Sequence, residues 1–425
     1  MDKLVVDGGR TLEGNVRISG AKNASLPILM STLLIDGDST VFNIPSVSDI
    51  TTAVELLTHL GAKIKIDSVN GKKVFNINTK VIENHTAPYE IVSKMRASFW
   101  VLGSLLGRFG EAKVSMPGGC AIGLRPCDIY ISVLEKMGVD IKIENGYVIA
   151  KSIGKKLHGA DVTLRLPSVG ATHNTIMAAV LADGKTTIRN VAKEPEIVDL
   201  SNFLITAGAK IKGAGTDIIE IDGVEKLHST DYKVIGDRIE AFTYMVAAAI
   251  TKGKLTLDGL DFFAVLEKPI EILRKIGVSV DMIENDRVQV YVNKKLKPID
   301  IVTDFYPNFP TDCQAPIMSL LGVVKGKSTI NETIFENRFM HVPELNRLSA
   351  NITVSGNVAT INGIERYSGS SVSSSDLRAG IALVLAGLQA EGKTIIDKIY
   401  NIERGYENFV DKLNNCGASL KIITE

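Results

Sequence analysis

The chain has 425 residues, of which 45% are hydrophobic and 23% are charged. These values are typical of a globular protein of two to four domains, and they exclude a chain that is mainly disordered, collagen-like or coiled coil. Lys and Arg together number 48, as do Asp and Glu, so the formal net charge is zero. A dedicated nucleic-acid-binding protein usually carries a basic excess, which this chain lacks.

The chain has four cysteines, too few for a disulfide scaffold at this length, and they form no C-x-x-C pair. The start of the chain lacks the apolar core of a signal peptide. The most apolar windows, residues 24–35 and 379–388, are shorter than the roughly 18–20 residues that span a bilayer. We therefore expect a soluble cytoplasmic protein without a structural metal site, a membrane segment or a nucleic-acid partner.

One pattern recurs six times along the chain, about 70 residues apart. Each copy has a first strand, an apolar helix, a Gly-led β-branched strand, a more amphipathic second helix, a tight turn and a hairpin. This order predicts six βαβαββ units. Glycine suits the left-handed residue that ends a helix, and Ser349 is the one departure from it. The turn residues are Gly61, Gly138, Gly208, Gly277, Ser349 and Gly417.

The first helices are apolar on nearly every face, which predicts α/β units with helices buried beneath sheets. Examples are residues 24–35, 97–106 and 379–388. Six units group most simply as three plus three, with a boundary at about residues 224–231. The residues before Ser19 precede the first unit and could pair with either domain.

Polar residues recur where the apolar first helices begin. Helix N-termini present free N–H groups and a positive dipole end, and Lys or Arg there adds positive potential. We therefore expect an anionic ligand, a phosphate or a carboxylate, although any one of these residues alone is more simply a solvated charge. The residues are Lys22, Asn23, Arg96, Thr172, His173, Arg238, Asp312 and Arg378.

A Gly-rich loop before the second helix distinguishes the second unit. Residues 117–128 contain about six residues more than the equivalent loop of the first unit, with three glycines and Cys120. Such a loop is a candidate lid, and Cys120 near Arg125 suits thiolate or acid–base chemistry, the alternative being a small buried thiol.

Arg338 and Arg404 open second helices, where anions bind readily. P-loop, Rossmann, H-E-x-x-H and G-x-S-x-G motifs are absent from the sequence.

Seven motifs carry a resemblance to a known family. They are Ser19-Gly20-Ala21-Lys22-Asn23-Ala24, Met95-Arg96-Ala97-Ser98, Pro117-Gly118-Gly119-Cys120-Ala121-Ile122-Gly123, Phe309-Pro310-Thr311-Asp312, Glu336-Asn337-Arg338-Phe339-Met340-His341, Asp376-Leu377-Arg378-Ala379 and Arg404-Gly405-Tyr406-Glu407. Over essentially the whole chain, the sequence resembles the UDP-N-acetylglucosamine enolpyruvyl transferases (1-carboxyvinyltransferases) of the enolpyruvyl transferase family.

The resemblance implies two inverse α/β-barrel-like domains, each of three βαβαββ repeats with buried helices and outer sheets. It also implies that residues 1–21 join the C-terminal domain, so that the domains comprise residues 22–230 and 231–425. The implied substrates are phosphoenolpyruvate and UDP-N-acetylglucosamine, in the first committed step of peptidoglycan synthesis. No cofactor or metal is implied, and we expect a monomer or a weak homo-oligomer.

The resemblance also implies roles for individual residues. Cys120, Asp312, Lys22 and Arg404 are the expected catalytic residues; Cys120 matches the cysteine that fosfomycin alkylates, and Asp312 is expected at the sugar 3′-hydroxyl. Within residues 166–170 only Ser168, Val169 and Gly170 match firmly, and Ile334 replaces a valine of the family. The expected binding residues are Lys22, Asn23, Arg96, Arg125, Pro126, Cys127, Asp128, Ile129, Leu166, Pro167, Ser168, Val169, Asp312, Ile334, Arg338, Arg378 and Arg404.

Two other functions compete with this interpretation. The first is 5-enolpyruvylshikimate-3-phosphate synthase, which shares the fold but lacks the cysteine loop. The second is a non-enzymatic clamp built of repeated α/β units, which would need a basic inner surface. The candidate lid and the zero net charge argue against the clamp.

Overall fold

The computed structural model describes residues 2–69, 72–116, 128–260, 263–284 and 286–424. Within these ranges the strands form six four-stranded mixed sheets. In each sheet a short outer strand runs parallel to a second strand, whose other neighbour is antiparallel and is followed by a further antiparallel strand. In the second, third, fifth and sixth sheets the parallel pair flanks a crossover helix, as the βαβ part of the repeat predicts.

The six sheets comprise the following strands, in spatial order. The first sheet comprises Thr230–Lys233, Asp38–Phe42, Lys72–Asn78 and Lys63–Val69, the second Thr86–Ala87, Glu111–Ser115, Tyr147–Ser152 and Val139–Glu144. The third comprises Asp161–Thr163, Lys185–Arg189, Ile218–Asp222 and Lys210–Lys212, the fourth Glu13–Arg17, Lys254–Asp258, Arg287–Tyr291 and Ser279–Glu284. The fifth comprises Asp300–Val302, Lys327–Asn331, Val358–Asn362 and Asn351–Ser355, the sixth Ser371–Ser373, Lys393–Asp397, Asp2–Asp7 and Leu420–Thr424.

The first and fourth units exchange their first strands, and the N-terminal strand joins the sixth sheet. The strand Thr230–Lys233, where the sequence suggests that the fourth unit opens, instead pairs in parallel with Asp38–Phe42 and completes the first sheet. The fourth sheet takes its parallel strand from Glu13–Arg17, with Val16 opposite Leu257. Asp2–Asp7 lies between Lys393–Asp397 and Leu420–Thr424 in the sixth sheet. A repeat pattern alone cannot reveal this exchange, since it gives the order of the strands along the chain but not their partners.

The chain forms two compact units, one with residues 20–116 and 128–235, the other with residues 2–19 and 236–424. The chain passes from one unit to the other after Ser19 and after Ile235, a few residues beyond the end of the strand Thr230–Lys233. Each unit has its own apolar core.

The first helix of every repeat is buried, as its all-round apolar sequence predicts. In the helix Arg238–Ile250 every residue is buried, and in Leu377–Gln389 all but the first and last are. Within one unit Gln314–Leu321 packs against both of these helices; in the other, Val101–Phe109 packs against its two neighbours. The six helices are Lys22–Ser31, Val101–Phe109, Val169–Ala179, Arg238–Ile250, Gln314–Leu321 and Leu377–Gln389.

The second helices bury one face and expose the other. They are Ser48–Leu60, Asp128–Lys136, Pro195–Thr206, Glu267–Ile276, Val342–Arg347 and Phe409–Asn414. Short helical turns occupy Thr32–Leu34, Tyr89–Val92, Arg96–Trp100, Phe263–Leu266, Thr311–Cys313 and Tyr400–Glu403. The predicted turn residues all have positive φ, between 71° at Ser349 and 116° at Gly61, so Ser349 adopts the conformation that glycine supplies elsewhere. None of the described helices has both the length and the apolar composition needed to cross a bilayer.

Candidate active site

Lys22 is the first residue of a buried helix, and its side chain is held by Asp49. The Nζ atom donates to Oδ2 of Asp49 over 3.0 Å, and the side chains are only 11% and 6% exposed. Asp49 lies in the first turn of the helix Ser48–Leu60, where the helix dipole favours a carboxylate. Asn23 follows Lys22 and is half-buried. The ion pair fixes the Lys22 ammonium at the start of its helix, where an anion is expected.

Three segments that the sequence assigns to a nucleotide sugar converge on Gly170. A Cβ atom at this position would lie 2.5 Å from Oη of Tyr130 and 3.1 Å from Nε1 of Trp100. Tyr130 belongs to the helix that begins Asp128-Ile129, and Trp100 ends the turn that begins at Arg96. Glycine is therefore required for the close approach of these elements.

The loop before Gly170 is anchored at both ends. Arg165 pairs with Asp128 at 2.9 Å, which joins the two segments directly. Ser168 caps the helix Val169–Ala179 by accepting a hydrogen bond from the Ala171 amide over 3.3 Å. Leu166 is 46% exposed, whereas Pro167 is half-buried. This part of the chain thus combines a capped helix start with an exposed loop residue.

Asp312 lies between two buried arginines in the other unit. Its Oδ1 accepts from Nη2 of Arg338 over 2.6 Å, and its Oδ2 accepts from Nη2 of Arg378 over 3.0 Å. The arginine side chains are 4% and 5% exposed, whereas Asp312 is 32% exposed. A carboxylate with one open side is suited to accept a proton from a bound ligand.

Both arginines retain a buried donor at the Asp312 cluster. The Nε atoms of Arg338 and Arg378 have no hydrogen-bond partner in the described part of the chain. Burial lowers the pKa of Arg378, but Tyr406 and Asp312 outweigh this effect and raise it overall, so the guanidinium stays charged. Buried cations with unused donors are suited to binding an anion.

Glu332 ties Ile334 to the segment that carries Asp312. One oxygen of this buried carboxylate accepts from the Ile334 amide over 2.9 Å, and the other accepts from Thr311 Oγ1 over 3.0 Å. Arg404 is half-buried and directly follows the short helix Tyr400–Glu403. The sequence reasoning missed Glu332, Asp49, Tyr406 and Thr243, of which only Tyr406 lies in one of the recognised motifs.

Two of the aligned polar residues do not face a ligand. Thr172 and His173 are fully buried inside their helix bundle. Thr172 Oγ1 donates to the Ser168 carbonyl over 2.9 Å and accepts from the Ala192 amide over 3.1 Å, so it stabilises the fold. Burial lowers the pKa of His173 to about 3. The expectation of an anion-facing pair is therefore wrong at this helix, because its first turn is covered by neighbouring segments.

The remaining predicted residues, Cys120, Arg125, Pro126 and Cys127, lie outside the described residues. In the described part, Asp128 is exposed and Ile129 is buried at the start of their helix. Among the residues described, we find no group of three or more His, Cys, Asp or Glu side chains placed to hold a metal ion.

Comparison with known proteins identifies the family. The family model of EPSP synthase (3-phosphoshikimate 1-carboxyvinyltransferase) matches residues 6–413. The chain belongs to the enolpyruvyl transferase family. It is 49% identical over 421 residues to the UDP-N-acetylglucosamine 1-carboxyvinyltransferases of Rickettsia peacockii (strain Rustic) and Rickettsia bellii (strain OSU 85-389), covering 99% of this chain and 100% of theirs. It is therefore an enolpyruvyl transferase, as the motifs predict.

Solved structures confirm the predicted α/β fold class. The enolpyruvyl transferase NikO from Streptomyces tendae superposes with a TM-score of 0.88 at 23% identity, covering 100% of this chain and 99% of that one. EPSP synthase from Acinetobacter baumannii gives a TM-score of 0.75 at 18% identity, with both chains fully covered. At these identities the likeness concerns the fold alone.

Proposed function

We propose that this enolpyruvyl transferase moves the enolpyruvyl group of phosphoenolpyruvate to the 3′-hydroxyl of UDP-N-acetylglucosamine and releases phosphate. The observation that carries the proposal is the Asp312 carboxylate held between the buried guanidinium groups of Arg338 and Arg378. Such a cluster offers a proton acceptor and two forked cations in one place. The name of the Rickettsia relatives supports UDP-N-acetylglucosamine as the acceptor, and the reaction would begin peptidoglycan synthesis.

The chemistry follows from the donor substrate. Phosphoenolpyruvate is an enol phosphate, so protonation of its methylene carbon leaves C2 electron-poor and open to attack. The sugar 3′-oxygen adds to C2 as its proton leaves, which gives a tetrahedral intermediate. Loss of a proton from the new methyl group and of phosphate then yields the enolpyruvyl ether. General acid–base catalysis of this kind contributes about 10²–10⁴-fold.

We assign the acceptor side of this reaction to Asp312. Its carboxylate takes the proton of the sugar hydroxyl, while Arg338 and Arg378 bind the anionic groups of phosphoenolpyruvate. In the described structure the Nη2 atoms of both arginines are bonded to Asp312. A phosphate or carboxylate that reaches them competes with Asp312 for these donors, and so leaves its oxygens more available to the hydroxyl.

The other expected residues complete the proposal. Lys22, held by Asp49, and Asn23 bind phosphoenolpyruvate, and Arg404 contributes a further cation. Arg96, together with residues 125–129 and 166–169, binds the nucleotide sugar, and Ile334 contacts it through its backbone. Cys120 donates the proton to the methylene carbon. The cytoplasmic location and the monomer or weak homo-oligomer expected from the sequence stay predictions.

A product assay with two acceptors tests the proposed reaction. The protein is incubated with phosphoenolpyruvate and either UDP-N-acetylglucosamine or shikimate 3-phosphate, and the products are analysed by mass spectrometry alongside phosphate release. We expect the enolpyruvyl ether only with the nucleotide sugar. Product formation with shikimate 3-phosphate alone would establish the competing synthase function, and no product with either acceptor would refute the proposed acceptor.

Fosfomycin labelling tests the role of Cys120 separately. Burial raises the pKa of the Cys313 and Cys416 thiols, so these free cysteines are poor nucleophiles and serve as internal controls. Peptide mapping should place a single adduct on Cys120, and an adduct elsewhere would contradict the assignment. Cys120→Asp should keep some activity and resist the inhibitor, whereas Cys120→Ser should be less active because a hydroxyl is a far weaker acid.

A further inference from the structure

Two buried hydroxyls extend the Asp312 cluster into the core of its unit. Tyr406 is 2% exposed, and its Oη accepts from Nη1 of Arg378 over 3.0 Å. The same Oη lies 2.9 Å from Oγ1 of Thr243, in the buried helix Arg238–Ile250. Neither hydroxyl was among the residues expected from the sequence, yet they connect Arg378 to the core of its unit.

The direction of these hydrogen bonds follows from counting protons. Thr243 Oγ1 donates its single proton to the Ile239 carbonyl over 2.9 Å. It can therefore only accept from Tyr406, so the Tyr406 proton points towards Thr243. The lone pairs of the Tyr406 oxygen then face Arg378. Thr243 therefore holds the Tyr406 hydroxyl as a hydrogen-bond acceptor for the guanidinium, because Thr243 has no second proton to donate to Tyr406.

The Arg378 guanidinium is thus held at two points of different character. Asp312 binds Nη2, but this carboxylate is partly exposed and takes part in the proposed chemistry. Tyr406 binds Nη1 from inside the core. Burial raises the pKa of Tyr406 to about 12, so the phenol stays protonated and its hydrogen bonds do not change across the working pH range. When Asp312 exchanges its partners, Tyr406 is the contact that keeps the guanidinium plane in place.

We propose that Tyr406 is a positioning residue for phosphoenolpyruvate: its hydroxyl, oriented by Thr243, keeps the Arg378 guanidinium in the orientation that binds the anionic donor substrate. The inference rests on the proposed function, because it takes the ligand of Arg378 from there. A forked cation binds a carboxylate or phosphate well only in a defined plane, so loss of this hydrogen bond should weaken donor binding.

The test compares two Tyr→Phe variants of equal burial. Tyr406→Phe removes the hydroxyl on Arg378. Tyr367→Phe removes a fully buried hydroxyl that donates to the Ser319 carbonyl over 2.9 Å, away from the cluster. We expect similar losses of melting temperature in both variants. Only Tyr406→Phe should raise the KM for phosphoenolpyruvate, by about 10-fold or more, with the KM for the nucleotide sugar nearly unchanged.

A second pair of variants tests the orientation of the phenol. Thr243→Val removes the oxygen that accepts the Tyr406 proton, whereas Thr243→Ser keeps it. We expect Thr243→Val to raise the KM for phosphoenolpyruvate in the same direction as Tyr406→Phe, and Thr243→Ser to stay within about threefold of the wild type. If Tyr406→Phe folds too poorly for kinetic measurements, this pair of Thr243 variants still tests the positioning role of Tyr406.

Binding without turnover separates this inference from the proposed function. The concentration of phosphoenolpyruvate that gives half of the maximal thermal stabilisation is measured for each variant. A higher value in Tyr406→Phe than in Tyr367→Phe supports the positioning role even if the acceptor assignment fails. Equal values, with equal KM for phosphoenolpyruvate, would overturn the inference, whereas an active wild type with the other acceptor would overturn only the proposed function.

Discussion

The carboxylate of Glu240 and the ammonium of Lys412 form a buried ion pair, with Oε1 and Nζ 2.6 Å apart. The second oxygen of Glu240 accepts from the Ser19 amide over 2.7 Å, and Lys412 donates to Ser19 Oγ over 2.6 Å. Ser19 is the residue after which the chain leaves this unit. The pair therefore anchors the N-terminal segment to two helices, Arg238–Ile250 and Phe409–Asn414.

Breaking this ion pair should destabilise the protein strongly. Lys412→Met leaves the Glu240 carboxylate, 2% exposed, without its cation, which typically costs about 3–5 kcal/mol. The double variant Glu240→Gln, Lys412→Met should recover much of this loss, because no buried charge remains. Urea unfolding measures both free energies. A double variant as unstable as the single one would show that the buried charge is not the cause.

The pH dependence of stability gives an independent check on Glu240. Burial raises the pKa of this carboxyl, although Lys412 opposes the shift. Because the folded protein then holds the proton more tightly than the unfolded chain, the contribution of Glu240 to stability rises as the pH falls from its folded pKa towards its unfolded value. Glu240→Gln should remove this dependence. If the free energy of unfolding of that variant varies with pH as in the wild type, the dependence does not come from Glu240.

Gly170→Ala should damage the proposed nucleotide-sugar region. The added Cβ would lie 2.5 Å from Tyr130 Oη, closer than any side chain tolerates, so a rigid ring or the helix must move. Overpacking of this kind costs about 1–3 kcal/mol. Gly154→Ala is the matched control, since its added Cβ meets atoms only at 3.6 Å and beyond.

The measurements for this pair are urea unfolding and the KM for UDP-N-acetylglucosamine. We expect Gly170→Ala to lose stability and to raise this KM, while Gly154→Ala changes neither appreciably. Equal behaviour of the two variants would mean that the segments around Gly170 can adjust without consequence for binding.

The sequence predicts the repeat well because its signals are local. A left-handed residue must end the second helix of each unit, and glycine or Ser349 supplies it at every copy. The first helices are apolar on nearly every face, and this local pattern likewise predicts that they are buried. The partner of the strand Thr230–Lys233 is different: parallel pairing with Asp38–Phe42 joins residues 191 positions apart, which no local signal specifies.

The site was predictable only in part for a similar reason. Aligning the helix starts places Asp312 and Arg378 at one level, although they are 66 residues apart. It does not reveal that they bind each other, nor that Thr172 at the same level is enclosed by the core. The Arg378–Tyr406 contact lies within the sixth repeat, whereas the Tyr406–Thr243 contact joins the sixth repeat to the fourth, so no spacing within one repeat could indicate the second contact.

Two buried histidines should make the protein sensitive to mild acid. Burial lowers the pKa of His173 to about 3 and that of His341 to about 4, from an ordinary value of 6.5. The unfolded chain therefore takes up protons below pH 6.5 that the folded protein refuses, and stability is lost as the pH falls from about 6.5 to about 4. For two histidines the slope approaches about 2.7 kcal/mol per pH unit.

Replacing one histidine should remove about half of this slope. His173→Gln and His341→Gln are compared with His228→Gln, which alters an exposed side chain. Urea unfolding at several pH values from 4 to 7 measures the slope, so that a general loss of stability in a variant does not affect the conclusion. A slope that is the same in all three variants would contradict the assignment to these residues.

Asp312→Asn should separate anion binding from turnover. The substitution keeps the size of the side chain but removes the charge that Arg338 and Arg378 share. Turnover should fall by about 10²-fold or more, because the amide cannot accept the proton of the sugar hydroxyl.

The two guanidinium groups lose their common partner at the same time, so they should bind an added anion more readily than in the wild type. Phosphoenolpyruvate and inorganic phosphate should therefore raise the melting temperature of Asp312→Asn more than that of the wild type. Near-normal turnover would exclude Asp312 as the proton acceptor, and weaker stabilisation by both anions would show that Asp312 does not compete with substrate for the two arginines.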